Sequence, residues 1–194
     1  MTRPKNDKYY AILSGALQTF AEHGFHKTQV SRIAKAAGVA DGTIYLYFKR
    51  KEDILIELFR EKLGELVGKF HATIDGHADA AESLRKVVEI HFGELEKDVN
   101  FAYVTQIELR QSDLELRREI GACFKPYIVL IEHILRRGIE QGRFRSDLDP
   151  KLTRLLVFGG MDEVVTSWLI SGRKISLSSQ VDGTVSFFLQ GLKA

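Results

Sequence analysis

The chain has 194 residues, 44% of them hydrophobic, with three prolines and one cysteine. This composition favours one large or two small helical units and excludes an internal disulfide. The sequence shows no signal peptide and no apolar run near the roughly 18 residues that cross a bilayer, which predicts a cytoplasmic protein. The net charge of +2 is divided unevenly, because residues 1–51 hold nine Lys and Arg against three Asp and Glu, whereas residues 52–194 hold 19 against 23. A basic front of this kind is typical of modular DNA-binding proteins.

The N-terminal quarter has the periodicity of three short helices. Apolar residues at helical spacing predict these helices over 5–23, 29–37 and 42–48. Gly24 is expected to end the first helix, and Gly38 to end the second where the chain turns sharply. Thr28 and Asp41 are the expected N-caps of the second and third helices. Two short helices joined by such a turn predict a helix-turn-helix.

The third predicted helix exposes groups suited to DNA. Ile44 and Phe48, four residues apart, face inward. That leaves the hydroxyls of Thr43, Tyr45 and Tyr47 facing out. A cationic run, Lys49 to Lys51, follows them. Hydroxyls and cations on a narrow, exposed helix suit phosphate binding and base reading in a major groove. The alternative is an ordinary solvated helical hairpin, which the length and detail of the pattern disfavour.

Six further helices are predicted beyond residue 51. Their ranges are 52–74, 80–97, 101–111, 113–141, 150–171 and 179–192. The first of them serves as a connector between two predicted domains, 1–51 for DNA binding and 52–194 for effector binding and dimerisation. Pro126 predicts a kink or break within its helix. Asp149 and Pro150 form an N-cap followed by proline at the first helical position.

The last two predicted helices are more apolar than one side of a core requires. The surplus predicts a four-helix contact with a second copy of the chain, and Gly159 and Gly160 would let helices approach closely there. The alternative is a pair of fully buried core helices.

Enzyme motifs are missing from the sequence. None of the six histidines follows a Glu by three residues, and neither a Gly-x-Ser-x-Gly nor a phosphate-binding glycine loop occurs. His23 and His26 form the only closely spaced histidine pair, without further metal ligands beside them. We therefore expect no enzyme, no cofactor and no metal site, and a purely structural helical dimer remains open as an alternative.

The stretch from Phe25 to Leu55 resembles the N-terminal domain of the TetR family of bacterial transcriptional regulators. The characteristic residues are a Tyr-x-x-Phe step, a Lys and a helix opening on Glu-Asp, supplied here by Tyr45, Phe48, Lys51, Glu52 and Asp53. The resemblance implies an all-α, TetR-like fold in which a three-helix DNA-binding domain precedes a helical ligand-binding and dimerisation domain. It also implies a homodimer on palindromic double-stranded DNA.

Family position also implies the residues that contact DNA. These are Thr28, Gln29, Ser31, Asp41, Gly42, Thr43, Tyr45, Tyr47, Lys49 and Lys51. Ser31 and Asp41 stand where relatives often carry longer side chains, so base preference is left open there.

A closer likeness extends along most of the chain. The stretches VADGTIYLYFKRKEDIL, VTQIELRQSDLELRREI and FGGMDEVVTSW resemble the TetR-type fatty-acid-degradation regulators of Bacillus and relatives. The resemblance implies a repressor of β-oxidation genes that releases DNA on binding long-chain acyl-coenzyme A. A TetR repressor that responds to another hydrophobic molecule is the alternative.

An acyl-CoA requires an apolar tunnel and a few polar groups at its mouth. Tyr103, Gln106 and Arg110 share one face of a predicted helix and could supply the polar groups. The candidate tunnel residues are Phe92, Leu109, Phe124, Tyr127, Ile131, Phe158 and Trp168.

Overall fold

The computed structural model describes residues 5–74, 79–108 and 110–193. Within these ranges the chain forms nine α-helices and no β-strand, which confirms the all-α prediction. The helices are α1 (Asp7–His23), α2 (Val30–Ala37), α3 (Asp41–Tyr47), α4 (Lys51–Ile74), α5 (Ala80–Lys97), α6 (Val99–Glu108), α7 (Leu114–Glu140), α8 (Pro150–Ile170) and α9 (Val181–Leu192). A short 3-10 turn, Ser178–Gln180, leads into α9.

Three of the expected helix ends are confirmed. Gly24 and Gly38 follow α1 and α2 with φ angles of 77° and 65°, a backbone conformation that glycine adopts without strain. Asp149 caps α8, because its carboxylate accepts a hydrogen bond from the Lys151 N–H at 2.8 Å. Local sequence signals are therefore sufficient at these three points.

Two of the expected N-caps were wrong. Gln29 is the N-cap of α2 and Ala40 that of α3, and neither helix receives a capping hydrogen bond from the side chain of its N-cap residue. Asp41 instead forms the first residue of α3, where its negative charge still favours the helix dipole. Thr28 is buried, and its hydroxyl donates to the Gly24 carbonyl oxygen at 2.7 Å, away from α2.

A kink or break was expected at Pro126, and the helix does not break there. Helix α7 runs from Leu114 to Glu140 with this proline inside it. Because proline has no N–H, the Ala122 carbonyl four residues before Pro126 lacks its usual hydrogen bond within the helix. Both residues are exposed, so water can bind that carbonyl. Phe124 and Tyr127 beside it are buried, and their burial holds the helix on its core.

The chain divides into two compact units, and the first holds the predicted helix-turn-helix. It comprises the chain up to Lys62 together with Asn100–Cys123. Helices α1 and α2 lie close together, since a Cβ at Gly15 would come within 2.8 Å of the Ala37 backbone nitrogen. The fully buried apolar side chains of this unit include Ile12, Ala16, Phe20, Ile33, Ala34, Ile44, Ile54, Leu55 and Phe59.

The second unit comprises Leu63–Val99 together with the chain from Phe124 onward. Its buried apolar side chains include Phe70, Leu84, Val87, Val88, Phe92, Tyr127, Ile131, Leu135, Met161, Val165 and Val185. Glu96 fastens the turn before α9, because its carboxylate accepts from the N–H groups of Leu177 and Ser178 at 2.8 and 3.2 Å. Among the residues described in either unit, no helix is long and apolar enough to cross a membrane.

Candidate DNA-binding and effector sites

Helices α2 and α3 form the two arms of a helix-turn-helix. Their facing sides are apolar, with Ile33, Ala34 and Ile44 buried, and Phe48 at the end of α3 is buried as well. The left-handed turn at Gly38 redirects the chain between the arms, and its N–H and that of Val39 bond to the last carbonyls of α2. This short scaffold leaves the outer face of α3 free for recognition.

Most of the residues predicted to contact DNA lie at the surface. Those that are exposed are Gln29, Ser31, Asp41, Gly42, Tyr45 and Lys49, whereas Thr43 and Tyr47 are half-buried. Tyr45 has 60% of its surface exposed. The Tyr47 hydroxyl donates to the Asn6 Oδ1 at 3.0 Å. The same oxygen accepts from the Tyr9 N–H in the first turn of α1. Tyr47 therefore also ties the end of α3 to the start of α1.

The exposed residues of the helix-turn-helix that were not predicted as contacts include two cations and one large apolar residue. Arg32 and Lys35 are exposed cations on α2, and Leu46 is an apolar residue of α3 that is 53% exposed. The positive charge of the two α2 residues was a usable signal for a phosphate-facing surface. Leu46 had no such signal, because an apolar residue in a helix is more often directed to the core.

The Lys51 ammonium forms hydrogen bonds within the protein. Its ammonium donates to the carbonyl oxygens of Phe25 and Thr28 at 2.7 and 2.9 Å, and it lies 4.4 Å from the centre of the Phe25 ring. Burial lowers the pKa of this ammonium. Because its donors are directed at these carbonyls, Lys51 fastens the loop between α1 and α2 in this structure.

The same loop is held from a second side by α6. Glu108, the last residue of α6, is only 3% exposed, and its Oε1 accepts from the Phe25 N–H at 2.7 Å. Gln111 donates to the other carboxylate oxygen. We call residues 24–28 with Lys51 and Glu108 the loop clasp. It fixes the base of the helix-turn-helix through groups that come from α4 and α6.

The predicted effector residues divide between the two units. Tyr103, Gln106 and Arg110 belong to the first, where Tyr103 is half-buried and the exposed Arg110 donates to the Gln106 carbonyl oxygen at 2.9 Å. Leu109 lies outside the described residues. The remaining six belong to the second unit.

Within the second unit the structure brings several of these residues together. The rings of Tyr127 and Phe158 are 5.7 Å apart, those of Phe124 and Phe158 are 6.0 Å apart, and Phe70 lies 4.8 Å from Tyr127. We call Phe70, His91, Phe92, Phe124, Tyr127 and Phe158 the aromatic cluster. It forms an apolar centre in the part of the chain predicted to bind effector.

Two other candidates differ in their relation to this cluster. Ile131 is fully buried one turn of α7 beyond Tyr127, so it extends the same face. Trp168 follows Phe158 by ten residues on α8, roughly 15 Å along the helix axis. Its indole N–H donates to the Ile175 carbonyl oxygen at 2.9 Å, which stabilises the chain after α8.

His91 is the member of the cluster that the sequence analysis missed. The side chain is 6% exposed, and its Nδ1 lies 3.1 Å from the Tyr127 hydroxyl oxygen. Burial lowers the pKa of His91 to about 4, opposed by the nearby charge of Asp162. Burial, with Asp162 acting in the same direction, raises the pKa of the Tyr127 hydroxyl. The available signal was a single histidine on the otherwise apolar face of α5.

An exposed apolar surface covers parts of α8 and α9. Phe187 is 75% exposed, and Leu152 and Leu156 lie with it along a groove of about 820 Å³. Gly159 is open, since a Cβ added there would meet no atom within 4 Å, whereas a Cβ at Gly160 would meet the Phe188 ring at 3.0 Å. Gly160 therefore serves close packing within this chain, and Gly159 lies open beside the surface.

The described part of the chain contains no candidate metal-binding site. No group of three or more His, Cys, Asp or Glu side chains is placed there to hold a metal ion.

Known protein families match both parts of the chain. The family described as "Bacterial regulatory proteins, tetR family" matches residues 12–58, and the family described as "YsiA-like protein, C-terminal region" matches residues 59–191. The fatty acid metabolism regulator protein of Bacillus subtilis (strain 168) is 45% identical over 190 residues, which cover 98% of each chain. The repressor KstR2 of Rhodococcus jostii (strain RHA1) is 26% identical over 98% of this chain and 94% of its own.

Solved structures agree with these matches. The transcriptional regulator FadR from Bacillus subtilis in complex with stearoyl-CoA superposes with a TM-score of 0.92 at 45% identity, covering 95% of this chain and 99% of that one. The fatty acid degradation regulator FadR from Bacillus halodurans gives 0.91 at 46% identity, covering 95% and 100%. The helix-turn-helix geometry and these matches over nearly the whole length show that the chain belongs to the TetR family of bacterial transcriptional regulators.

Proposed function

We propose that this chain is a DNA-binding repressor of fatty-acid degradation genes that long-chain acyl-CoA releases from its operator. The observation that carries the proposal is the 45% identity, over 95% of the chain, to a FadR whose structure contains stearoyl-CoA. The protein would act in the cytoplasm as a homodimer, with no cofactor other than the effector.

The DNA-binding half of the proposal is supported by what α3 exposes. The seven-residue helix α3 exposes Gly42 and Tyr45, and Lys49 is exposed just after it. Arg32 and Lys35 add positive charge on α2. Cations and hydroxyls bind phosphates, and the short side chains let the helix enter a major groove.

The dimer is supported by the apolar surface on α8 and α9. A soluble monomer rarely exposes a contiguous patch of leucines and a phenylalanine, whereas an isologous dimer would cover the same patch on both copies. Such a dimer would hold two recognition helices roughly 34–36 Å apart, on successive major grooves of a palindrome.

The effector half is supported by the aromatic cluster. Rings at 4.8–6.0 Å from one another form an apolar interior, the kind of surroundings that a fatty acyl chain requires. Tyr103, Gln106 and Arg110 are the proposed polar contacts for the coenzyme A part.

The response is proposed to pass through helices that both functions use. Helix α4 begins with Lys51 in the loop clasp and ends in the second unit, and Glu108 of α6 holds the same loop. Acyl-CoA can lower DNA affinity only if it binds more tightly to an arrangement of these helices that fits DNA poorly.

The proposal is tested by non-denaturing mass spectrometry on the purified protein, followed by operator binding. The expected result is a dimer that takes up one palmitoyl-CoA or oleoyl-CoA per subunit, ignores coenzyme A alone, and then leaves a palindromic operator selected from random DNA. Uptake of cationic dyes or other hydrophobic molecules in place of acyl-CoA would contradict the fatty-acid assignment and leave a TetR repressor with a different effector.

A pair of exposed tyrosines tests the DNA half separately. Tyr45→Ala should weaken operator binding about fivefold or more, because a lost base or phosphate contact costs about 1–3 kcal/mol. Tyr10→Ala is the matched control, since Tyr10 is also exposed but lies on α1. Equal effects of the two substitutions would contradict the assignment of α3 as the recognition helix.

A further inference from the structure

The aromatic cluster contains a buried polar atom that has no partner. His91 is 6% exposed, its Nδ1 pairs with the Tyr127 hydroxyl at 3.1 Å, and its Nε2 has no hydrogen-bond partner among the described residues. Buried polar groups in folded proteins nearly always have a partner, so an unpaired imidazole nitrogen calls for a specific explanation.

The protonation of this imidazole follows from its surroundings. Its lowered pKa makes it neutral at pH 7, so it carries one N–H and one lone pair. The Tyr127 phenol is the better donor of the two groups, and donation from it to Nδ1 leaves the ring proton on Nε2. His91 therefore presents a buried N–H donor that lacks an acceptor.

The rings around His91 supply no acceptor for this donor. Those nearest to the imidazole belong to Tyr127, Phe92 and Phe158, with centres at 5.8, 5.9 and 6.5 Å. Tyr127 is already engaged at Nδ1, and the two phenylalanines have no lone pair to offer. The charge of the Asp162 carboxylate reaches His91, but Asp162 makes no hydrogen bond to Nε2. An acceptor for Nε2 would then be part of a ligand bound among these rings.

We propose that the His91 Nε2–H donates a hydrogen bond to the thioester carbonyl oxygen of the bound acyl-CoA. This inference rests on the proposed function, which supplies the class of ligand. A saturated acyl chain has no hydrogen-bonding atom beyond its thioester, so the carbonyl is the acceptor at the head of the chain. His91 then fixes how far the chain enters among the rings, and Tyr127 is a positioning residue that sets the tautomer.

The test compares two ligands that differ in this carbonyl alone. Palmitoyl-CoA carries it, and S-hexadecyl-CoA is the thioether of the same chain length without it. His91→Phe should weaken binding of palmitoyl-CoA about threefold to tenfold, the value of one buried hydrogen bond, and leave binding of S-hexadecyl-CoA unchanged. Isothermal titration calorimetry on the dimer measures both affinities.

Three further variants separate hydrogen bonding from packing. Phe92→Leu should weaken both ligands alike, because it removes apolar contact only. His91→Gln keeps an N–H donor and should retain part of the wild-type preference for palmitoyl-CoA. This result can be measured even if His91→Phe fails to fold. Tyr127→Phe should reduce that preference without abolishing it, since the tautomer is no longer fixed.

The outcomes distinguish this inference from the proposed function. A wild-type protein that binds neither ligand overturns both. A wild-type protein that binds palmitoyl-CoA, with His91→Phe weakening the two ligands equally or neither of them, overturns the role of His91 and leaves the acyl-CoA repressor standing.

Discussion

The loop clasp and the aromatic cluster differ in whether their buried polar groups have hydrogen-bond partners. In the clasp, the Lys51 ammonium, the Glu108 carboxylate and the Phe25 N–H are all paired, at 2.7 Å for the bonds that involve Phe25. In the cluster, His91 has one nitrogen paired and the other without a partner among the described residues. Paired groups stabilise one arrangement of the chain, whereas an unpaired imidazole nitrogen leaves a binding capacity that a ligand can use.

This contrast has a direct thermodynamic consequence. Removing a polar group from the clasp leaves other buried groups unpaired, so it should destabilise the fold. Removing polar groups from the cluster leaves a chain that packs apolar rings against one another, so it should change the fold little. Three substitutions test the contrast, in order of decreasing effect.

Lys51→Met should have the largest effect. It keeps most of the side chain's length but leaves the carbonyls of Phe25 and Thr28 without their charged donor. We expect the free energy of unfolding to fall by about 1.5–3 kcal/mol, the range for hydrogen bonds to charged groups. Urea unfolding followed by circular dichroism measures it. Operator affinity should fall for all sequences, because the whole helix-turn-helix rests on this loop.

Lys49→Met is the control for a direct role in DNA binding. Lys49 is exposed, so its loss should leave stability unchanged and flatten the dependence of log Kobs on log salt by about 0.9 for each phosphate contact removed. Lys51→Met should leave that slope as it is. A flattened slope with unchanged stability in Lys51→Met would show that this ammonium binds phosphate after all.

Lys51 also shows where sequence reasoning reaches its limit. Helix periods and glycine ends are local signals, and they predicted α5 over 80–97 and the ends of α1 and α2. The partners of Lys51 are a matter of tertiary structure, because the Phe25 carbonyl is 26 residues away in the chain. The sequence therefore predicts a phosphate contact for Lys51, whereas its hydrogen bonds to the loop carbonyls are visible only in the fold.

The proposed effector residues show the same limit of sequence reasoning. Apolar character marked Phe92, Phe124, Tyr127 and Phe158, which the fold does assemble. It could not separate them from Trp168, which uses its N–H on a loop carbonyl. The polar residue of the cluster, by contrast, required the structure, because only the fold shows that an imidazole nitrogen is buried and unpaired.

Glu108→Gln should have a smaller effect than Lys51→Met. The amide oxygen can still accept from the Phe25 N–H, but the charge that strengthens this bond is lost. We expect a loss of about 1–2 kcal/mol in the same unfolding experiment. Glu115→Gln is the matched control, because Glu115 is an exposed carboxylate of the same unit and should change stability little. Equal losses in the two variants would mean that Glu108 does not fasten the loop.

The smallest effect at neutral pH is expected from replacing both polar members of the cluster. The double substitution His91→Phe with Tyr127→Phe removes the paired hydroxyl and the unpaired nitrogen together, and its free energy of unfolding at pH 7 should lie within about 1 kcal/mol of the wild type. A loss as large as that of Lys51→Met would show that the cluster, like the clasp, depends on its polar groups for stability.

Acid should then separate the double variant from the wild type. The pKa of His91 falls from 6.5 to about 4 on folding. Between these values the unfolded chain binds a proton that the folded protein does not, so the wild type loses stability as the pH decreases through this window. At pH 5 the loss from His91 amounts to at most about 2 kcal/mol. The double variant lacks the group and should lose less than the wild type between pH 7 and pH 5, whereas equal losses would mean that His91 is protonated within the fold and is not the neutral donor required for a thioester.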